Sequence, residues 1–197
     1  MFLLRKPDDR RLRKIMDDYR DVQPSYSEIG HTRGQLPKGY RVDQHRIQLG
    51  ASRETFQRAK QALYDWQMFR LDWLEPCWPN QPMKEGVLVG TLARIFGLWT
   101  VNVCRVVYVV EESGAVEKCG FAYGTLSGHV ECGEERFTIE WHRDDDSVWY
   151  DLLAFSKPGH ILTRLGYPMA RRLQKRFAVD SMRAMVQAVQ RNQQHRG

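Results

Sequence analysis

The chain lacks the short signatures of many well-known activities. It has no GxxxxGK[ST] phosphate loop, no GxSxG nucleophile elbow, no HExxH zinc helix and no GxGxxG dinucleotide fingerprint. No apolar run approaches the ~20 residues that span a bilayer. The opening MFLLRKPDDRR turns charged at Arg5, too soon for the apolar core of a secretory signal. Its four cysteines, Cys77, Cys104, Cys119 and Cys132, form no CxxC pair, which argues against a zinc ribbon or a thioredoxin-type site. With no export signal, the expectation is reduced thiols in a cytoplasm, each behaving as a small buried hydrophobe. Internal repeats and linker-like stretches are also missing. Acid is nearly absent after Lys157: nine Lys or Arg follow from that point and only Asp180 opposes them. The net charge of +6 is therefore concentrated at the C-terminal end. Such a segment can attract phosphate or nucleic acid, and it equally suits a solvated helix face. Aromatic residues are not interleaved among its arginines as stacking platforms, so specific nucleic-acid binding is not expected.

What is present is an ordinary globular composition, with 42% hydrophobic and 27% charged residues over 197 positions. That length suits one domain with one sizeable core. Residues 8–20 are expected to form a helix, with Leu12, Ile15, Met16 and Tyr19 on one face. Residues 39–50 read as a strand. Ser52 is placed to cap a second helix whose apolar stripe runs from Phe56 through Ala59, Ala62, Leu63 and Trp66 to Phe69. Six strands are expected next, over 70–75, 86–95, 101–111, 118–126, 134–141 and 147–155. A long helix from about Leu165 or Tyr167 to Gln190 closes the chain. Met169, Leu173, Phe177, Ala184 and Ala188 are its expected apolar face. The domain reading is an N-terminal helical extension over 1–24, a single domain over 25–190 and a frayed tail over 191–197.

This order predicts an α+β fold, with a curved seven-stranded antiparallel sheet wrapped around a long C-terminal helix and an extra N-terminal helix. Helices gathered on one side of a curved sheet outline the helix-grip fold of the START and birch-pollen-allergen (SRPBCC) superfamily. That analogy implies a pocket and no particular function. The blocks SYSEIGHTRGQLPKGYRVDQHRIQLG (25–50), FQRAKQALYDWQMF (56–69), NVCRVVYVV (102–110), GFAYGTLSGHVECGEERF (120–137) and VWYDLLAFSKPGHILTRLGYPMARRLQKRF (148–177) resemble the family called domain of unknown function nineteen-ninety. The resemblance runs from about Tyr26 to Met185. Ser127 and Val130 depart from the prolines that it implies at those positions.

The richest chemistry lies in the meander from Arg105 to Trp141. Its corner, GTLSGHVECGEERF, offers His129, Glu131, Glu134 and Glu135. Histidine beside carboxylates can exchange protons near neutral pH, so His129 and Glu134 are the acid–base candidates. The plain alternative is a polar hairpin whose carboxylates pair with Arg136 or Arg105. The spacing matches no known metal signature, so neither a metal nor a cofactor is expected. Arg105, Tyr108 and Tyr123, on neighbouring strands, would orient a polar group in an apolar cavity, or else face solvent and pack across strands. Trp149 and Asp151 share one face of the last strand and Tyr150 takes the other. Tyr167 joins Arg164, Arg171 and Arg172 near the start of the long helix, where cations call for a carboxylate or an anionic ligand nearby. The leading expectation is a small apolar or amphipathic ligand held between sheet and terminal helix, touching Arg105, Tyr108, Tyr123, His129, Glu131, Glu134, Trp149 and Tyr167. An acid–base enzyme on the same scaffold is the second reading. A nucleic-acid or protein interaction module using the basic helix is the third.

Overall fold

The structure, a computed structural model, describes residues 2–78, 81–129, 131–159 and 167–194. The side chains of Phe2, Tyr167, Pro168 and residues 192–194 lie outside that description. Eight strands run in chain order: β1 (Phe2–Leu3), β2 (Arg41–Ala51), β3 (Leu74–Pro76), β4 (Leu88–Ile95), β5 (Leu98–Glu112), β6 (Val116–Thr125), β7 (Glu131–His142) and β8 (Ser147–Pro158). Among the described residues, three α-helices accompany them: α1 (Asp9–Asp18), α2 (Arg53–Tyr64) and α3 (Tyr167–Gln194). The sheet order is β2-β8-β7-β6-β5-β4-β3, with every adjacent pair antiparallel, and the two-residue β1 adds to β5. This is the helix-grip arrangement, a curled antiparallel sheet closed by a C-terminal helix.

Alternation along the strands decides the two faces. In β7, Phe137 and Ile139 point inward, opposite Leu152 and Tyr150 of β8. They meet Phe56, Ala59, Ala62 and Leu63 of α2 in the main core. The Ser52 hydroxyl caps α2, accepting from the Thr55 N–H at 3.3 Å. The helical stripe expected to reach Phe69 breaks at Trp66, which takes a left-handed conformation at φ 57°; Gln67–Phe69 then form a short 3-10 turn. The strand expected over 70–75 shrinks to Leu74–Pro76, because Leu71 and Leu74 bond each other across a tight turn.

Two expectations about helix faces are corrected. The buried face of α3 carries Ala178, Ser181, Met182, Met185, Ala188 and Val189. Met169 is exposed, and Leu173 and Phe177 are only half-buried. The helices are not gathered on one side either. Leu12, Ile15 and Met16 of α1 pack on the convex face of the sheet, against Leu92, Val101, Val103 and Leu126. Gly90 makes room there, since a Cβ at that position would sit 3.0 Å from the Met16 sulfur.

Glycines set the curvature elsewhere. A Cβ on Gly133 would lie 2.0 Å from the Phe155 carbonyl oxygen, and one on Gly120 2.1 Å from that of Phe137. These close approaches tighten the bend of β6, β7 and β8 over the concave side.

Candidate functional site

The concave face of the sheet and the N-terminal half of α3 flank a half-open pocket of about 240 Å³. Its apolar wall includes Phe69, Val89, Ala93, Leu152, Ala154 and Phe177. Phe69 stacks on Phe177 at 5.8 Å between ring centroids and on Tyr123 at 6.0 Å. Those contacts tie the 3-10 turn, the sheet and α3 into one wall.

The polar groups collect around the β6–β7 corner. Tyr123, on β6, donates its hydroxyl to Glu135 Oε2 at 2.7 Å. Burial pushes Glu135 up to about 7 and the Tyr123 phenol well above its ordinary value. Glu135 can therefore bind or release a proton near neutral pH. His129 Nδ1 lies 3.1 Å from the Glu131 N–H and accepts from it. Burial pulls His129 down to about 4, so its ring is neutral at physiological pH. Glu131, raised by burial, accepts from Gln174 on α3. Arg171, one turn earlier on α3, grips Asp43 of β2 through its guanidinium with two bonds, at 2.6 and 2.7 Å, and also donates to Gln174. That grip holds Asp43 below the usual carboxylate range. The start of α3 is thus fastened to the sheet by a chain of contacts from Asp43 through Arg171 and Gln174 to Glu131.

The structure divides the residues singled out from sequence. Tyr123, His129 and Glu131 line the cavity. The Glu134 carboxylate turns to the convex face. There it accepts from the Tyr26 hydroxyl at 2.9 Å, from the Gly30 N–H at 2.6 Å and from the Thr32 N–H at 2.9 Å, and also from the Thr32 hydroxyl. The Glu134 carboxylate thus holds the loop before β2, while the residue itself still borders the cavity that His129 lines. Its neighbour Glu135 takes the inward place, because adjacent residues of a strand point to opposite faces.

Arg105 and Tyr108 are also on the convex side. Arg105 Nη2 donates to the carbonyls of Tyr19 and Arg20, at 3.2 and 2.7 Å, just past the C-terminal end of α1. A cation is favoured at that helix end. Tyr108 bonds the Thr32 hydroxyl at 2.6 Å and lies under the Arg33 guanidinium. An offset of three residues ordinarily puts two strand positions on opposite faces. A bulge between Val106 and Tyr108 brings both to the same one. Trp149 stacks under Arg46 on the convex side as well. Asp151 pairs there with Arg136 and Gln44, and Tyr150 points inward to Ser181 of α3. The side chain of Tyr167 lies outside the described residues, as do Arg164 and Val130.

Glu135 was named in sequence only as one of the corner's carboxylates. Its alternation with Phe137 and Ile139 was the signal that assigns it to the inner face. The cavity wall contributed by Phe69, Ala154 and Gln174 carried no comparable signal. Among the described residues, no three His, Cys, Asp or Glu side chains converge to hold a metal ion, and no helix is long and apolar enough to cross a membrane.

Comparison with known proteins gives a consistent result. The family model described as "Domain of unknown function (DUF1990)" matches residues 25–184. A "UPF0548 protein" of Dictyostelium discoideum is 40% identical, with 98% of each chain covered. One of Deinococcus radiodurans is 36% identical over 95% of this chain and 98% of its own. Among solved structures, human STARD10 superposes with a TM-score of 0.47 at 11% identity, covering 94% of this chain and 80% of its own. Ara h 8.0201 gives 0.45 at 8% identity, covering 77% of this chain and 98% of its own.

Proposed function

Since the chain belongs to the DUF1990 family, a class defined by sequence and not by activity, we propose a function from its interior: it binds a small apolar or amphipathic molecule between the sheet and the N-terminal half of α3. The observation that supports this is the cavity itself. It is walled by Phe69, Val89, Leu152 and Phe177, with Tyr123, His129, Glu131 and Glu135 among its polar groups. Ligand sites commonly combine those two features. A pocket of about 240 Å³ has room for a small organic molecule. A ligand burying roughly 200 Å² of apolar surface has about 5 kcal/mol available before entropy is subtracted. Apolar burial alone therefore supports a Kd no tighter than about 0.2 mM, and polar contacts at the corner must supply anything beyond that.

Ala154 supplies the test. It lies on β8 between Asp43 and Glu135 in register and lines the cavity. Ala154→Leu places extra carbon in the void. Titration calorimetry with compact aromatic and alicyclic compounds should show saturable binding to the wild type and a loss of about tenfold or more in the variant. The melting temperature should not fall, because filling a cavity restores packing contacts. Equal binding by both proteins, or no saturable binding to the wild type, would overturn the proposal.

A further inference from the structure

We infer that the ligand presents a cationic or hydrogen-bond-donating nitrogen to Glu135, making apolar amines the preferred class and carboxylates the disfavoured one. This deepens the proposed function and rests on the same cavity.

Charge at the polar corner is the first argument. Glu135 and Glu131 both face the cavity, and Asp43 borders it. The cation nearest to them in the wall, Arg171, is committed to Asp43 through two bonds and to Gln174 through another. Lys175 also borders the cavity, from the exposed side of α3, as do His45, opposite Leu152 on β2, and Glu134, whose carboxylate is bonded on the convex side. His129 is neutral and directs Nδ1 at a backbone N–H. Arg105 lies on the convex side, fastened to the end of α1, and offers no charge to the cavity. An anionic ligand at this corner would meet two carboxylates, with the inner guanidinium already engaged.

Donor and acceptor balance is the second. Glu135 Oε2 accepts from Tyr123, while Oε1 has no hydrogen-bond partner among the described residues. An ionised carboxyl offers acceptors only, so the complementary ligand atom is a donor. A protonated amine gives a charge-assisted bond, which is about twice as strong as a neutral one. The third argument is the wall. Phe69, Tyr123 and Phe177 line the same cavity as Glu135, with Tyr123 in direct contact with it, and aromatic rings attract ammonium groups.

The test uses three compounds that differ only at one end: phenethylamine, phenethyl alcohol and hydrocinnamate. Their affinities for the full-length protein are measured by calorimetry at about pH 8, where Glu135 is mostly ionised. The amine is expected to bind at least about tenfold more tightly than hydrocinnamate, with the alcohol between them. Glu135→Gln should shrink the amine's advantage over the alcohol to within about threefold. A wild-type series at about pH 6 gives a second measurement that needs no variant: the same advantage should shrink there as Glu135 takes up a proton. Hydrocinnamate binding as tightly as the amine, or an amine advantage indifferent to both Glu135→Gln and pH, would overturn this inference alone. Failure of all three compounds to bind would overturn the cavity reading together with it.

Discussion

Replacing Glu134 separates a structural carboxylate from a catalytic one. The side chain is 2% exposed and accepts four hydrogen bonds, from the Tyr26 hydroxyl, the Gly30 and Thr32 N–H groups and the Thr32 hydroxyl. Hydrogen bonds to a charged acceptor contribute about 1.5–3 kcal/mol each, and a donor left buried without a partner costs about 1–3 kcal/mol. The four bonds share one acceptor, so their contributions do not add. Glu134→Ala should therefore lose about 3–5 kcal/mol, since several buried donors lose their acceptor at once. That is a large share of the stability of a typical domain. Glu134→Gln keeps the shape but turns an NH₂ donor toward donors, and should lose most of the same amount. Urea denaturation followed by tryptophan fluorescence gives the stability. Limited proteolysis reports whether the loop around Gly30 is released. In the folded fraction, binding in the cavity should persist, since this carboxylate points to the opposite face of the sheet. A stability loss below about 1 kcal/mol, or abolished ligand binding in a stable Glu134→Gln protein, would refute the reasoning.

Two further outcomes follow from the same geometry. His129 is held down to about 4 and Glu135 up to about 7, so their contributions to stability have opposite slopes with pH. Between about pH 4 and 6.5 the unfolded chain protonates His129 and the folded one does not, so this group's contribution is lost as pH falls. Between about pH 4.5 and 7 the folded chain keeps the Glu135 proton that the unfolded one releases, so that contribution is lost as pH rises. Each is worth on the order of 3 kcal/mol before solvent screening. Glu135→Gln should make stability climb more steeply from pH 5 to 7 than in the wild type, and His129→Gln should do the reverse; parallel pH–stability curves for all three proteins would contradict both assignments. Gly133→Ala places a methyl group 2.0 Å from the Phe155 carbonyl oxygen. A loss of about 3 kcal/mol or more is expected in a thermal melt, and an unchanged melting temperature would show that the β7–β8 bend is looser than described.

The strands and helices were legible because their patterns are strong. Phe137, Ile139 and Trp141 alternate over β7, and Ser52 marks the start of α2. The faces were harder to read. One bulge between Val106 and Tyr108 reverses the phase of β5 and carries Tyr108 to the convex side beside Arg105. No residue in that run advertises a bulge. The side of the sheet that α1 covers was equally hidden, because Leu12, Ile15 and Met16 fit either apolar surface. The choice between Glu134 and Glu135 rested on a one-residue phase that alternation with Phe137 does fix. The long-range partners could not be read. Tyr26 and Thr32 reach Glu134 across about a hundred residues of sequence, and Arg171 reaches Asp43 over a comparable span. Such pairs follow from the closed fold and leave no local pattern.

The central claim is that the space between the sheet and α3 receives a small molecule. The most direct measurement is a crystal structure of the protein soaked in bromobenzene, with the bromine located by anomalous scattering. The account predicts a bromine peak inside the cavity, in contact with Phe69, Leu152 and Phe177, and no such peak in Ala154→Leu crystals soaked in the same way. Wild-type crystals whose interior is filled by protein side chains, with bromine bound only at the surface, would contradict it.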